Sequence, residues 1–168
     1  MKIRLVLLGL AVFALAPAIQ NPDVVKAAIQ KEMTGYAAAL KKKDGALVEK
    51  IILANFSPEF KDTDMKGTIR NRQQTIDAMK QNIGMLQSVK SIRLDIVSLK
   101  LVGGKAMTTE HMVMDATIPP IGAGAKNSSL KVDSTWNGTY VKKGDKWWCV
   151  SSKGTKETVL IDGKKIPG

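Results

Sequence analysis

The stretch TWNGTYVKKGDKWWCV, residues 135–150, sets the reading of the whole chain. Aromatic and β-branched residues stand on both sides of Lys143-Gly144-Asp145, a turn signal, so the segment reads as two long antiparallel strands joined by a hairpin. Side chains alternate between the faces of a strand, and a hairpin fixes which residues lie opposite one another. A tight turn at Lys143-Gly144 sets Tyr140 opposite Trp147, Thr139 opposite Trp148 and Gly138 opposite Cys149. It gathers Trp136, Tyr140, Trp147 and Cys149 on one face.

Working upstream, the same period of two runs back to Val89, broken by Gly103-Gly104 and by a looser connection at Pro119-Pro120-Ile121-Gly122-Ala123-Gly124. Downstream, Asp162-Gly163 marks a last turn. Centring the looser connection places Met114 near Val132 and Glu110 near Trp136, and adds Met112 and Leu130 to the face that holds Trp136. Extending across Gly103-Gly104 as a two-residue turn sets Val97 opposite Glu110, Asp95 opposite Met112 and Arg93 opposite Met114, so polar groups enter an otherwise apolar concave face. A single bulge would reverse this last step. The other face then carries Ile92, Leu94, Ile96, His111, Val113, Trp148 and Val150, which is apolar enough to suggest a partner.

The first half of the chain has a helical period instead. Asn21 caps, Pro22 suits the first helical position and Asp23 complements the positive end of the helix. Val25, Ile29, Met33, Tyr36 and Leu40 form an apolar stripe that ends at Lys41-Lys42-Lys43. Asp44-Gly45 breaks that helix and Asp44 caps a second, which carries Leu47, Ile51 and Ile52 to about Asn55. Ser57-Pro58 stops it. Phe60 to Thr63 reads as a short strand before a turn at Asp64-Met65-Lys66-Gly67. Asn71-Arg72-Gln73-Gln74 has capping-box spacing, and Ile76, Met79 and Ile83 make the inward stripe of a third helix. Helices first and strands last indicate an α+β domain, with three N-terminal helices packed on one face of a curved antiparallel sheet.

This order resembles the nuclear transport factor 2-like superfamily, whose cone-shaped fold is shared by ketosteroid isomerase, scytalone dehydratase and polyketide cyclases. The segments that carry the resemblance are the first helix ending in Lys43-Asp44, Phe56-Ser57-Pro58-Glu59-Phe60 leading into the short strand, and the terminal hairpin Val141–Val150. The resemblance covers nearly all of residues 19–168, read as a single domain. It implies a cystatin-like cone with a hollow between helices and sheet, and a homodimer through the outer sheet face. The superfamily mixes enzymes with non-catalytic domains, so it implies no particular reaction.

Before that domain, Lys2 and Arg4 precede an apolar run from Leu5 to Leu15 that is too short to span a bilayer, and Ala16-Pro17-Ala18 supplies small residues for cleavage. Residues 1–18 are expected to be a signal peptide cleaved after Ala18, with Ala14-Leu15-Ala16 as the competing site. The expected product is secreted or periplasmic, with no transmembrane anchor. The formal charge is +11, and +9 without Lys2 and Arg4. Such a balance favours anionic surfaces. Its lysines are scattered and not interleaved with aromatic residues, which argues against a nucleic-acid groove.

Cys149 is the only cysteine and His111 the only histidine, so no intramolecular disulfide can form, no multi-histidine metal site exists, and no cofactor is expected. Tyr36, Arg93, Met112, Trp136 and Tyr140 are the candidate ligand-binding residues, an apolar pocket with a few polar anchors for a small, partly apolar molecule. Glu110 and Asp95 are the candidate general bases, since a carboxylate desolvated beside Trp136 would have its pKa raised. The first reading is a non-catalytic ligand-binding or dimeric interaction domain. The alternative is an isomerase, dehydratase or cyclase working through one of these carboxylates.

Overall fold

The computed structural model describes residues 21–120 and 126–166. The expected signal peptide and the Ile121–Ala125 part of the loose connection lie outside them. Helix α1 (Pro22–Lys41) begins with Asn21 Oδ1 accepting from the Asp23 amide at 2.9 Å and buries Val25, Ile29, Met33, Ala39 and Leu40. Helix α2 (Gly45–Asn55) is capped by Asp44, which accepts from the Leu47 amide at 2.9 Å. Helix α3 (Arg72–Gly84) starts with the expected reciprocal box between Asn71 and Gln74. No helix among the described residues is long and apolar enough to cross a membrane.

Strand β1 (Phe56–Thr63) leaves α2 directly, so it begins four residues before the expected Phe60. Strand β2 (Ile69–Asn71), which the sequence reading lacks, is a short edge piece paired with β1. Four long strands follow: β3 (Ser88–Val102), β4 (Lys105–Ile118), β5 (Ser128–Lys143) and β6 (Lys146–Ile161), then the short β7 (Lys164–Lys165). The sheet order is β2-β1-β6-β5-β4-β3, with β7 also on β6. One pair departs from the antiparallel expectation, because β1 runs parallel to β6. A parallel pair needs a long crossover, and here β2, α3 and strands β3 to β5 supply it.

The helices cover one face of the sheet and create two apolar clusters. Under α1, Val25, Ile29 and Met33 meet Phe60, Leu94, Ile96, Ala106, Tyr140 and Cys149. Between the helices, Ala39 and Leu40 meet Val48, Ile52, Ile76 and Ile83. Helix α1 also closes the exposed edge of β3. The Gln30 side-chain amide donates to Leu94 O at 2.7 Å and accepts from Ile96 N at 2.8 Å, so it takes the place of a neighbouring strand.

The β4–β5 register is as read from sequence, with Glu110 opposite Trp136 and Met114 opposite Val132. The β5–β6 register is displaced by two. Lys143 pairs with Lys146 around Gly144-Asp145, and Gly144 has φ 63°, so Tyr140 faces Cys149 and Val141 faces Trp148. A slip of two leaves each side chain on its expected face.

The β3–β4 register requires a correction. Gly103 and Gly104 form the expected two-residue turn with φ of 55° and 75°, and the pairing holds from Val102–Lys105 to Ser98–Thr109. A bulge at Val97 then advances β3 by one, so Ile96 faces Glu110, Leu94 faces Met112 and Asp95 faces His111. Asp95 and Arg93 therefore stand on the outer face, ion-paired with each other at 2.8 Å, and are removed from the concave site. Ile92, Leu94 and Ile96 move inward, with Leu94 and Ile96 5% and 3% exposed. Burying an apolar side chain of that size stabilises by roughly 1.5–3 kcal/mol, whereas the unbulged register would place a guanidinium and a carboxylate there. The outer face loses three of the seven residues on which its apolar character was argued.

Candidate functional site

The centre of the concave face is built by alternation on β4 and β5. Ala106, Thr108 and Glu110 point inward on β4, and opposite them on β5 stand Tyr140, Gly138 and Trp136. Glu110 is 3% exposed. Its Oε1 accepts from the Thr108 hydroxyl at 2.6 Å and from the Tyr140 hydroxyl at 2.8 Å, and its Oε2 accepts from Trp136 Nε1. Gly138 makes room for the carboxylate, since a Cβ there would meet Glu110 Oε1, Thr108 Oγ1 and the Tyr140 ring.

Electrostatics follow from burial. Desolvation pushes the Glu110 pKa up, opposed by the three hydrogen bonds, which favour the charged form. Burial also raises the Tyr140 hydroxyl and the Cys149 thiol well above their ordinary values, and the Glu110 charge adds to both. Burial, with a smaller push from the Asp62 charge, raises Tyr36 as well. Ion pairs among the described residues lie elsewhere, notably Arg70 with Asp62 and Asp64, at 3.2 and 3.0 Å.

The structure unites five of the seven sequence candidates, Glu110 at the centre and four aromatic or apolar side chains in or against one cluster beside it. Tyr140 is in the apolar core around Glu110, and Tyr36, Met112 and Trp136 are half-buried against that core, joined by Trp147. Met114, Leu130 and Val132, also half-buried, extend the concave lining beyond Met112. Arg93 and Asp95 lie on the opposite face. His111 sits opposite Thr135 as expected, but its neighbour on β3 is Asp95 rather than Ile96, and its Nε2 lies 3.1 Å from Asp133. Among the described residues no group of three or more metal-ligating side chains forms.

Sequence reasoning missed Thr108, which lies two residues before Glu110 and so on its face, and the role of Gly138. Both were findable by following the β4–β5 register past Trp136. Chemically, Glu110 has three donors converging on two oxygens and almost no access to solvent. A base needs a free lone pair aimed at its substrate. Here three of about four acceptor sites are taken and the last, on Oε2 beside Trp136, is shut off from solvent, so Trp136, the most peripheral of the three donors, would have to move to admit a substrate.

No protein-family model matches the chain, and no curated protein matches it. Solved structures do. The chain is similar to a hexachlorocyclohexane dehydrochlorinase of type 2, at 13% identity over 86% of this chain and 94% of that one, with a TM-score of 0.63. A conserved protein from Planctomyces limnophilus aligns at 12% identity over 83% and 98%, with a TM-score of 0.62. A nuclear transport factor 2-like superfamily protein from Salmonella enterica serovar Typhimurium aligns at 15% identity over 80% and 92%, with a TM-score of 0.58. With its three helices laid against one face of a curved, open, mixed sheet, the chain has the nuclear transport factor 2-like fold.

Proposed function

We propose that this chain is an exported, non-catalytic domain that binds a small, partly apolar molecule against the concave face beside Trp136. The observation that carries this reading is the state of Glu110. The one carboxylate at the centre of that face is buried and held by Thr108, Tyr140 and Trp136, an arrangement that fixes side chains rather than accepting a substrate proton. The half-buried Tyr36, Met112, Trp136 and Trp147 supply apolar area, and Ser134, opposite Met112, supplies a hydroxyl. The apolar leader at residues 1–18 supports secretion or delivery to a periplasm.

The test is tryptophan fluorescence titration with a panel of small aromatic and alicyclic compounds, run on the wild type, Trp136→Phe and Glu110→Gln. Quenching by a panel member should persist in Glu110→Gln and disappear in Trp136→Phe. A dehydration, isomerisation or elimination catalysed by the wild type and abolished by Glu110→Gln would establish the catalytic alternative instead.

A further inference from the structure

Among the described residues ten large apolar side chains stand exposed, and four of them, Val97, Val102, Met107 and Val113, lie on the β3–β4 hairpin. At the Gly103-Gly104 end of its outer face the register sets a row across four strands, Val102, Lys105, Val141 and Trp148. Lys100 and Met107 pair in the next row. Val102 is 55% and Met107 50% exposed, and Lys100 and Lys105 are exposed beside them. Asp145, in the neighbouring turn, is the nearest carboxylate in sequence to this end of β5 and β6. Asp95, Asp115 and Asp133 of the same face sit farther along it and already have Arg93, Lys131 and His111 as partners, while Glu59 on β1 lies near Lys143 and Arg72.

We propose that this end of the outer sheet face docks on a bilayer surface rich in anionic phospholipid. Lysines beside the exposed Val102 and Met107 and the half-buried Trp148 match the boundary between charged headgroups and acyl chains, where both kinds of side chain gain. A hydrated polyanion would satisfy the lysines but leave Val102 and Met107 in water. A second copy placed on this patch by a twofold axis would set two lysine-bearing surfaces against each other, a like-charge approach that opposes pairing.

The experiment is co-sedimentation of the purified chain with vesicles of phosphatidylcholine alone and of phosphatidylcholine mixed with phosphatidylglycerol. The wild type should bind only the mixed vesicles and be released by roughly 1 M salt, where the screening length is about 3 Å. Lys100→Glu/Lys105→Glu should weaken binding about tenfold or more, and Met107→Asp should weaken it severalfold. Lys31→Glu/Lys50→Glu, the same charge change on exposed helix positions, should leave binding intact. Matching melting curves would show that each variant is folded. Equal loss in the helix variant would reduce the effect to net charge and overturn the proposal. So would absence of wild-type binding to the mixed vesicles, binding to heparin without binding to vesicles, or a solution dimer that Met107→Asp splits in the absence of any vesicle binding.

Discussion

A methyl group on the α-carbon of Gly138 would stand 2.5 Å from Glu110 Oε1. The same methyl would lie 2.6 Å from Thr108 Oγ1 and 2.9 Å from the Tyr140 ring, so three side chains have settled into space that only glycine leaves. Gly138→Ala should destabilise the fold by about 3 kcal/mol, the upper part of the usual range for an overfilled core. Urea unfolding measures it. Combined with Glu110→Ala, which vacates the space, the double variant should lose less than the two single losses added together.

Glu110→Gln and Glu110→Ala should separate by several kcal/mol. A glutamine can accept from Trp136 Nε1 with its oxygen and donate from its amide toward Thr108 and Tyr140, whose hydroxyls rotate to accept. That substitution should cost no more than about 1 kcal/mol, while alanine strands three donors and should cost about 3–5 kcal/mol. Equal losses in chemical denaturation would show that the carboxylate's network is not what holds this face together.

The raised Glu110 pKa gives stability a definite pH dependence. The folded chain holds this proton more tightly than the unfolded chain, whose glutamate titrates near the ordinary 4.5. The group's favourable contribution is therefore complete below that value and declines as pH rises through the folded pKa. Glu59, Asp64 and Asp162 have lowered values and run the other way, losing their contribution as pH falls. Subtracting the melting temperature of Glu110→Gln from that of the wild type isolates Glu110, and the difference should fall as pH increases above about 4.5. A difference independent of pH would contradict the raised pKa.

Gln30→Leu keeps the bulk of the side chain and removes both of its hydrogen bonds to β3. Two backbone groups on an edge strand then lose their partners. The expected cost is about 1–3 kcal/mol, together with faster growth of light scattering on incubation, as the open edge recruits other chains. Unchanged scattering with lowered stability would assign Gln30 a local role only.

The helices were legible because their signals are local. Asn21, Asp44 and the Asn71–Gln74 box each mark a start that the backbone obeys, and the apolar stripe on α1 is the buried one. The central pair of strands was legible because Glu110 and Trp136 can be counted from one loop. The error at Asp95 and Arg93 came from carrying a register outward from Gly103-Gly104 past Val97, a bulge residue that nothing in its own type distinguishes. The alternation of Ile92, Leu94 and Ile96 against Arg93 and Asp95 held the better information, since the energy of burying that row outweighs regular pairing. Thr108 and Gly138 went unread for a different reason. The β4–β5 register places both on the face of Glu110, but the close fit around that carboxylate appears only when side chains are placed.

Phe56 pairs with Cys149, so β1, encoded near the beginning of the domain, finds its main neighbour in the last long strand. A ribosome that has delivered three helices and the strands up to Lys143 has made a chain whose Phe60 still lacks the cysteine-bearing wall it packs against. Such a nascent chain cannot bank its folding piecemeal. Truncation anywhere before Ile161 should leave an unfinished half-domain prone to proteolysis, and formation of the native state waits on a contact between distant parts of the polypeptide.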